Sequence, residues 1–514
     1  MFNGSQTTTT LLILLVAIGV MGWGFNRART YGKLGILAWL QSVVLMVPWL
    51  LFFGLFAAGI YLNIVGVLFL LLVSAGIYIY LGKQLREAGQ DAVLQERAKK
   101  LLNDKAEPLQ LNEKLQEQAS QTAQSQPSSS DGTNPPATEV VPIPAEDLKL
   151  LQGIFGIDTF FATETIPYQE GVIFKGNMRG STPEEVYSRL STAVEERLGD
   201  RYRLFLVESP EEKPVVIVLP SSNDPQPATL PQKILSIVLL VATIATTLEA
   251  SGLLLNFDFF QNPQRFREVL PISAGIWTVL AAHELGHWWQ AIRHKVKLSW
   301  PFLIPSWQIA SFGAITRFES LLPNRTALFD ISFAGPAAGG IVSLLMLMLG
   351  FLLSHQGSEF QMPVQFFQGS ILVGILSRIF LGDALQGNLV DVHPLTIIGW
   401  LGLVVTALNL MPAGQLDGGR FVQAIYGRKT ARRTTIATLV ILGIVALANP
   451  ANPIVLYWAI VILFLQRGLE RPSLNEITEP DDKRAILGLV ALFLMAATLI
   501  PFTPALAIRL GIGS

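Results

Sequence analysis

The sequence predicts an all-α polytopic membrane protein that carries one small soluble α+β domain. Hydrophobic residues make up 51% of the 514 residues, and charged residues make up only 15%. Several uninterrupted apolar runs are long enough to cross a bilayer, which takes about 20 residues per helix. Between residues 145 and 220 the pattern changes, because a capped helix and short β-branched, aromatic-rich segments replace the long apolar runs.

The composition also restricts the partners and the chemistry. The net charge is −1, and so near-neutral a balance argues against nucleic acid as a partner. The chain has no cysteine, which excludes disulfides, thiolate metal ligands and a thiol nucleophile. A bound metal ion would therefore depend on His, Asp, Glu or Asn side chains, and membrane lipids are the expected surroundings.

Five parts follow from the apolar runs and from a linker rich in Gln, Ser, Pro and Thr. We expect N-terminal transmembrane helices at 1–82, a charged segment and flexible linker at 83–144, a soluble α+β domain at 145–228, a membrane core at 229–475 and a C-terminal transmembrane helix at 476–514. The linker has too few apolar residues to build a core of its own.

The membrane core should contain helices that alternate in direction. Spanning helices are expected near residues 234–255, 270–292, 327–353, 395–411, 434–449 and 453–466. Basic residues after position 292 and between 420 and 433 place those ends on the cytoplasmic side. The stretch 300–318 is broken by prolines and glycine, and it predicts a short strand pair or a re-entrant loop. The stretch 366–381, with roughly sixteen residues, is too short to cross.

The chemistry concentrates in His283-Glu284-Leu285-Gly286-His287, late in the apolar run from Leu270 to Ile292. Histidines four residues apart lie on the same side of a helix, so both imidazoles can reach one metal ion. Glu284 is placed to take a proton from a water on that metal. The alternative is a pair of histidines that cap or pair inside a buried helix. Because ionisable side chains are costly in an apolar segment, the metal site is the favoured interpretation.

A catalytic zinc site usually has three protein ligands, so one more is required. His294 lies on nearly the same helix face as the motif but beyond the helix end, and His355 and His393 lie in loops that we place on the opposite side. Asp417 follows a break that contains proline and glycine, in an apolar setting where its carboxylate can be presented to a metal. The alternative for Asp417 is a cap of the following helix.

Three separated motifs together resemble the site-2 protease family of intramembrane zinc metalloproteases. The first is the histidine motif, and the second is Leu416-Asp417-Gly418 with Asn409 eight residues ahead of the aspartate. The third, Gly176-Asn177-Met178-Arg179-Gly180, is similar to the Gly-Asn-Leu-Arg motif of the chloroplast and cyanobacterial branch, the ethylene-dependent gravitropism-deficient and yellow-green proteins. Met178 stands where that branch usually has leucine. The resemblance covers roughly residues 145–475 and leaves out residues 1–140.

The resemblance implies a site-2 protease-like helical core at 229–475, which is then an intramembrane metalloprotease. It implies metal-assisted hydrolysis of peptide bonds within or near the transmembrane segments of membrane protein substrates. His283, His287 and Asp417 would hold Zn²⁺. Glu284 would act as the general base, and Asn409 would donate a hydrogen bond to the substrate backbone or to the developing oxyanion.

Substrate recognition is expected at two places. The bond to be cut must be locally extended, because a closed helix hides its carbonyls, and Phe312 and Gly313 could bind such a segment by strand addition. The soluble domain, on the cytoplasmic side, is a candidate to gate or select substrates. Asn177 and Arg179 are its candidate contact residues, although the same string can be only a turn with an exposed arginine.

Two other functions compete with proteolysis. A membrane chaperone or scaffold could use the same fold without catalysis, but the intact set of ligands argues against it. A metal or ion transporter would need polar groups along a path through both leaflets, whereas this chain concentrates them at one depth and has no repeated halves. The N-terminus has no transit-like character, so with the resemblance we expect a multi-pass protein of a cyanobacterial plasma or thylakoid membrane.

Overall fold

The computed structural model describes residues 143–513 except 157, 169, 179–181, 210, 212, 307–308, 450–452 and 467, together with residues 22, 24–29 and 32–57 and part of 66–85. The chain forms two compact units, residues 1–137 with 441–461, and residues 138–440 with 462–514. Most of the predicted linker at 83–144 and much of the predicted N-terminal helical region lie outside the described residues.

Helices dominate the described part of the chain. They are α1 (Gly32–Ala57), α2 (Ala145–Gln152), α3 (Pro183–Leu198), α4 (Leu230–Leu254), α5 (Phe266–Arg293), α6 (Arg325–Leu353), α7 (Gln365–Gln368), α8 (Ile371–Leu381), α9 (Pro394–Asn409), α10 (Asp417–Ala448), α11 (Pro453–Val461), α12 (Asp482–Leu499) and α13 (Pro504–Arg509). The strands are β1 (Phe160–Tyr168), β2 (Gly171–Met178), β3 (Tyr202–Glu208), β4 (Pro214–Pro220), β5 (Phe302–Ser306), β6 (Ala310–Ile315), β7 (Phe360–Pro363) and β8 (Leu389–Val392). A π-helical segment, Ile462–Gln466, follows α11.

The soluble domain is a four-stranded antiparallel sheet in the order β1–β2–β4–β3, covered by α3. Thr182 caps α3 by accepting a hydrogen bond from the backbone N–H of Glu185, and Pro183 occupies the first helical turn. One apolar side of α3 packs against the sheet. The sequence predicted a capped helix and short β-branched, aromatic-rich segments between residues 145 and 220, which are α3 and the strands β2, β3 and β4. It missed β1, whose side chains are mostly exposed and lack a clear alternation.

Four helical segments in the described residues are long and apolar enough to cross a membrane, α4, residues 263–293 (which include α5), α6 and α10. Their outward side chains are large and apolar; on α5, for example, Leu285, Trp288 and Trp289 are each 59% exposed. Such an exposed apolar surface suits contact with lipid rather than with water. The predicted fold class, an all-α polytopic membrane protein with a small soluble α+β domain, is confirmed.

The shorter elements refine the predicted membrane core. Strands β5 and β6 form the hairpin that the broken stretch 300–318 predicted. In the stretch 366–381 the main helix is α8, whose 11 residues reach only about 16 Å, well short of a hydrocarbon core of about 30 Å. The range Asp417–Ala448, α10, contains two helical segments that meet at a kink at Gly427, where φ is 77°. The helix predicted from residue 434 lies within the second segment.

An extended segment joins the soluble domain to the membrane core. Its Leu474 carbonyl accepts the N–H of Leu206 at 2.8 Å, and the N–H of Glu476 donates to the Leu206 carbonyl at 2.9 Å, so the segment continues the sheet beside β3. Leu474 and Asn475 also donate to the Leu322 and Pro323 carbonyls, just ahead of α6. The soluble domain is therefore tied by backbone hydrogen bonds to the start of α6. The expected boundary at residue 475 falls within this segment.

A buried carboxylate stabilises the soluble domain. The hydroxyl of Tyr202 donates to Asp147 at 2.8 Å, and Arg201 adds two hydrogen bonds to the same carboxylate. Burial, and then the hydrogen bond to Asp147, raise the pKa of Tyr202 from 10.0 to about 12. Because the folded state holds this proton more tightly, the stabilisation is complete below pH 10 and is lost as the pH rises towards 12.

We expect Tyr202→Phe to lower the stability of the soluble domain by about 1–2 kcal/mol at neutral pH, because the buried carboxylate loses one donor. Hydrogen exchange of the sheet amides in the purified full chain measures the change. Tyr168→Phe is the matched control, since Tyr168 is 43% exposed on β1. Equal exchange rates in the two variants would contradict the role given to the Tyr202 hydroxyl.

Candidate metal centre

The two motif histidines lie on the inner side of α5. His283 and His287 are buried, at 6% and 5% exposure, whereas Leu285 between them faces outward. Residues four apart occupy neighbouring turns on one helix face, so the two imidazoles approach each other. Their Nε2 atoms are 3.1 Å apart.

Asp417 meets both histidines from the first turn of α10. Its Oδ2 lies 3.2 Å from Nε2 of His283 and 3.4 Å from Nε2 of His287. Zinc bonds of about 2.0–2.1 Å place tetrahedral ligand atoms about 3.3–3.4 Å apart. The three separations therefore match one face of a zinc tetrahedron, and the donor set fits this metal. The two interpretations of Asp417 are compatible, since it begins a helix and also faces the histidines.

The second ring nitrogen of His287, Nδ1, also has a hydrogen-bond partner. It lies 2.7 Å from the carbonyl oxygen of Ile331 on α6, an acceptor that requires the proton on Nδ1. Nε2 is then the unprotonated nitrogen that a metal needs. The imidazole fits here because Gly335 has no side chain; a Cβ at that position would overlap the ring. The absence of a side chain at Gly335 thus makes room for the imidazole.

Glu284 lies beside the two histidines. Its carboxylate lies within 4.8 Å of their ligand nitrogens. The hydroxyl of Thr316, directly after β6, donates to Oε2 of Glu284 at 3.0 Å. Thr316 is itself held by Arg420, whose Nη2 donates to the Thr316 carbonyl at 2.8 Å. Arg420 is buried and paired with Glu470 at 3.0 Å, so a chain of contacts fixes Glu284.

Asn409 links the end of α9 to β6. Its Nδ2 donates to the Phe312 carbonyl at 3.4 Å and to the Val405 carbonyl one turn earlier at 3.1 Å. Gly313 has a φ of 92°, and a Cβ there would lie 2.6 Å from Nδ2 of Asn409. Both Phe312 and Gly313 occupy an irregular step in the β5–β6 register. Donation from Asn409 to a substrate would have to replace the long bond to Phe312.

The other histidines have separate partners. His294 contacts Asp330 at 3.0 Å, the Nδ1 of His355 lies 2.9 Å from the adjacent Gln356 carbonyl, and Nδ1 of His393 accepts the N–H of Leu395. In the soluble domain, Asn177 is exposed near the end of β2, and no contact among the described residues joins it to the histidines. Arg179 lies outside the described residues.

Sequence reasoning missed Thr316, Arg420 and Gln466 beside the candidate ligands. Arg420 lies three residues after Asp417, which places it on the same face of α10 and is a signal that could have been used. Thr316 and Gln466 are far from the motifs in sequence, and no local pattern marks them.

The site consists of two imidazoles, a carboxylate and a neighbouring glutamate, and it lies among membrane-crossing helices. These are the features of an intramembrane metalloprotease. The model of peptidase family M50 matches residues 271–448, and that of the EGY3 middle domain matches residues 149–227. The chain belongs to peptidase family M50, a family of zinc metalloproteases of membranes, and is a multi-pass membrane protein. No solved structure matches it.

Three relatives from Arabidopsis thaliana illustrate the similarity. The chain is 39% identical to the probable zinc metalloprotease EGY2, chloroplastic, over 70% of this chain and 66% of the relative. It is 36% identical to the probable zinc metalloprotease EGY1, chloroplastic, over 71% and 73%. It is 34% identical to the probable zinc metallopeptidase EGY3, chloroplastic, over 70% and 66%. The predicted family, enzyme class and zinc cofactor are confirmed.

We expect Gly335→Ala to lower the zinc content of the purified protein to less than about half, because the added methyl group displaces the His287 imidazole from its position. Elemental analysis after dialysis measures the loss. Gly340→Ala is the matched control on the same helix, since a Cβ there meets its nearest atom at an ordinary 3.5 Å. Full zinc content in the Gly335 variant would contradict the arrangement.

Proposed function

We propose that the chain hydrolyses peptide bonds at the membrane-embedded part of membrane protein substrates, with zinc held by His283, His287 and Asp417. The observation that carries this proposal is the set of three ligand-atom separations, 3.1–3.4 Å, with Glu284 immediately beside them. Bound zinc would lower the pKa of a water molecule towards neutrality and would polarise the scissile carbonyl.

Glu284 is the general base of this proposal. Its carboxylate accepts a proton from the attacking water and then gives that proton to the leaving amine. The hydrogen bond from Thr316 orients the carboxylate, and Arg420 in turn holds the Thr316 carbonyl. Because Thr316 engages only Oε2, Oε1 is the oxygen that we assign to the water.

The substrate lies along β6 in this proposal. One edge of β6 pairs with β5, and the described residues supply no strand for its other edge. An extended segment could add there through backbone hydrogen bonds. Phe312 and Gly313 lie at the point where Asn409 crosses to the strand, so Asn409 would hold the strand in place and could exchange its 3.4 Å bond for one to the substrate.

We expect Glu284→Gln to abolish cleavage of a model transmembrane substrate while zinc content stays at the level of the unchanged protein, because a neutral amide cannot accept the proton. A loss of roughly a thousandfold or more in kcat/KM is expected, and cleavage in detergent with elemental analysis measures both quantities. Substantial residual proteolysis in this variant would contradict the assignment of Glu284 as the general base.

Two companion variants sharpen this experiment. Glu268→Gln changes a carboxylate on the same helix that pairs with Arg265 at 2.9 Å, and it should leave cleavage unchanged. Asp417→Asn should lower zinc content and cleavage together, since it replaces a charged ligand with a neutral one. If the Asp417 variant kept all of its zinc, the third ligand would have to be another residue.

The soluble domain has a place to hold a substrate tail. A cavity of about 530 Å³ lies between it and the membrane core. Its lining includes Tyr187, Ser191 and Arg203 from the domain, and Lys297 and Glu319 from the core. We propose that residues 145–228 select substrates by the soluble segment that enters this cavity.

We expect Ser191→Trp, which fills the cavity, to slow cleavage of a substrate with a long soluble tail by roughly tenfold, equivalent to about 1.4 kcal/mol. Cleavage of the same substrate without its tail should not change, because the zinc site is untouched. Ser188→Trp is the matched control, on the same helix but exposed to solvent. If Ser191→Trp changed the cleavage rates of the substrates with and without the tail equally, the result would contradict the proposed role of the domain in substrate selection.

The membrane in which the protein resides is also a matter of proposal. The relatives named above are chloroplastic by name, which favours a chloroplast membrane over the cyanobacterial membrane that we expected from the sequence. Fractionation of the source cells, followed by detection of the chain in purified thylakoid, envelope and plasma membranes, distinguishes these locations.

A further inference from the structure

Gln466 is a buried amide whose side-chain oxygen has no hydrogen-bond donor. It is 2% exposed, and its Oε1 is buried without a partner among the described residues. Another buried amide is satisfied: Gln423 exchanges two hydrogen bonds with the backbone of Glu470. A buried polar atom without a partner costs roughly 1–3 kcal/mol, so Gln466 calls for an explanation.

Gln466 lines the same small cavity as the candidate zinc ligands. That cavity is also lined by His287, Asn409 and Asp417, and by Ala314 and Thr316 at the end of β6. Gln466 therefore lies where a substrate segment beside β6 would pass the zinc ligands. Its amide is not needed as a ligand, because His283, His287 and Asp417 already supply the three protein ligands of a catalytic zinc site.

The backbone holds Gln466 at this place. Its own carbonyl accepts the N–H of Gln415 at 2.8 Å, which ties it to the loop that leads into Asp417. It ends the π-helical segment Ile462–Gln466, and a π-helical turn inside a helix is an uncommon feature that occurs often at functional sites. The backbone of Gln466 is thus fixed relative to the loop that carries Asp417.

We propose that the carboxamide of Gln466 binds the substrate backbone next to the scissile bond, its Nε2 donating to a substrate carbonyl and its Oε1 accepting a substrate N–H. A primary carboxamide carries one donor side and one acceptor side, which match the two polar groups of a peptide unit. A substrate segment unwound beside β6 exposes peptide groups that need such partners at membrane depth. The inference rests on the proposed proteolysis and adds a substrate-binding residue to it.

A purely structural role and a substrate-binding role predict opposite results for Gln466→Met. Methionine has a similar shape and no group that needs a hydrogen bond, so removal of an unsatisfied amide should leave the melting temperature unchanged or raised. Substrate binding predicts that kcat/KM for a transmembrane substrate falls roughly ten- to a hundredfold, because the peptide group loses its partner. Zinc content should not change.

The experiment compares Gln466→Met with Thr396→Val in the full-length protein. Thr396 has another buried hydroxyl without a partner, on α9 and outside the lining of the zinc cavity, and its removal should not affect cleavage. Gln466→Glu is the second Gln466 variant; it keeps the shape and loses the donor, so it should also cleave slowly. If Gln466→Met fails to fold, kcat/KM of Gln466→Glu tests the inference.

Normal kcat/KM in a folded Gln466 variant overturns the inference and leaves the proposed function intact. A lowered melting temperature in Gln466→Met, or an equal loss of cleavage in Thr396→Val, assigns the effect to packing and also overturns it. No cleavage by the unchanged, zinc-loaded protein would instead overturn the proposed function, and this inference with it.

Discussion

The close approach of α5 and α6 is the constraint on which the candidate site depends. His287 reaches the Ile331 carbonyl only because Gly335, one turn further along α6, leaves space for its ring. Gly286 does the same in the other direction, since a Cβ there would overlap the Ala334 carbonyl. In a membrane, where lipid competes equally for apolar surfaces, small residues allow the backbone contact that fixes two helices. The positions of both imidazoles follow from that contact.

The polar groups around the site form one continuous set, which limits the cost of placing them among apolar helices. Arg420 pairs with Glu470 and donates to the Thr316 carbonyl, and Thr316 donates to Glu284. A buried charge without partners is costly, whereas a paired and hydrogen-bonded one is tolerated. The residues that satisfy one another also orient the carboxylate that we assign as the base, so stability and orientation have the same physical origin.

The soluble domain and the membrane core share backbone hydrogen bonds through Leu474 and its neighbours. The segment that makes these bonds follows Glu470, the partner of Arg420, by only a few residues. The sheet and the surroundings of the candidate base are therefore joined by a short stretch of chain. This connection is a physical basis for the substrate selection that we propose, because the cavity beside the domain lies next to the same core.

The sequence by itself determined the membrane class, the soluble domain, the histidine motif and the candidate ligand Asp417, because apolar run length, helix periodicity and motif spacing are local properties. It did not determine β1, whose exposed side chains lack a pattern, or the kink at Gly427 that divides α10. Only the tertiary structure decided that the Asp417 carboxylate faces the histidines, and that Thr316 and Gln466 lie beside them. Those contacts bring together residues separated by up to nearly two hundred positions, and no local pattern encodes such a distance.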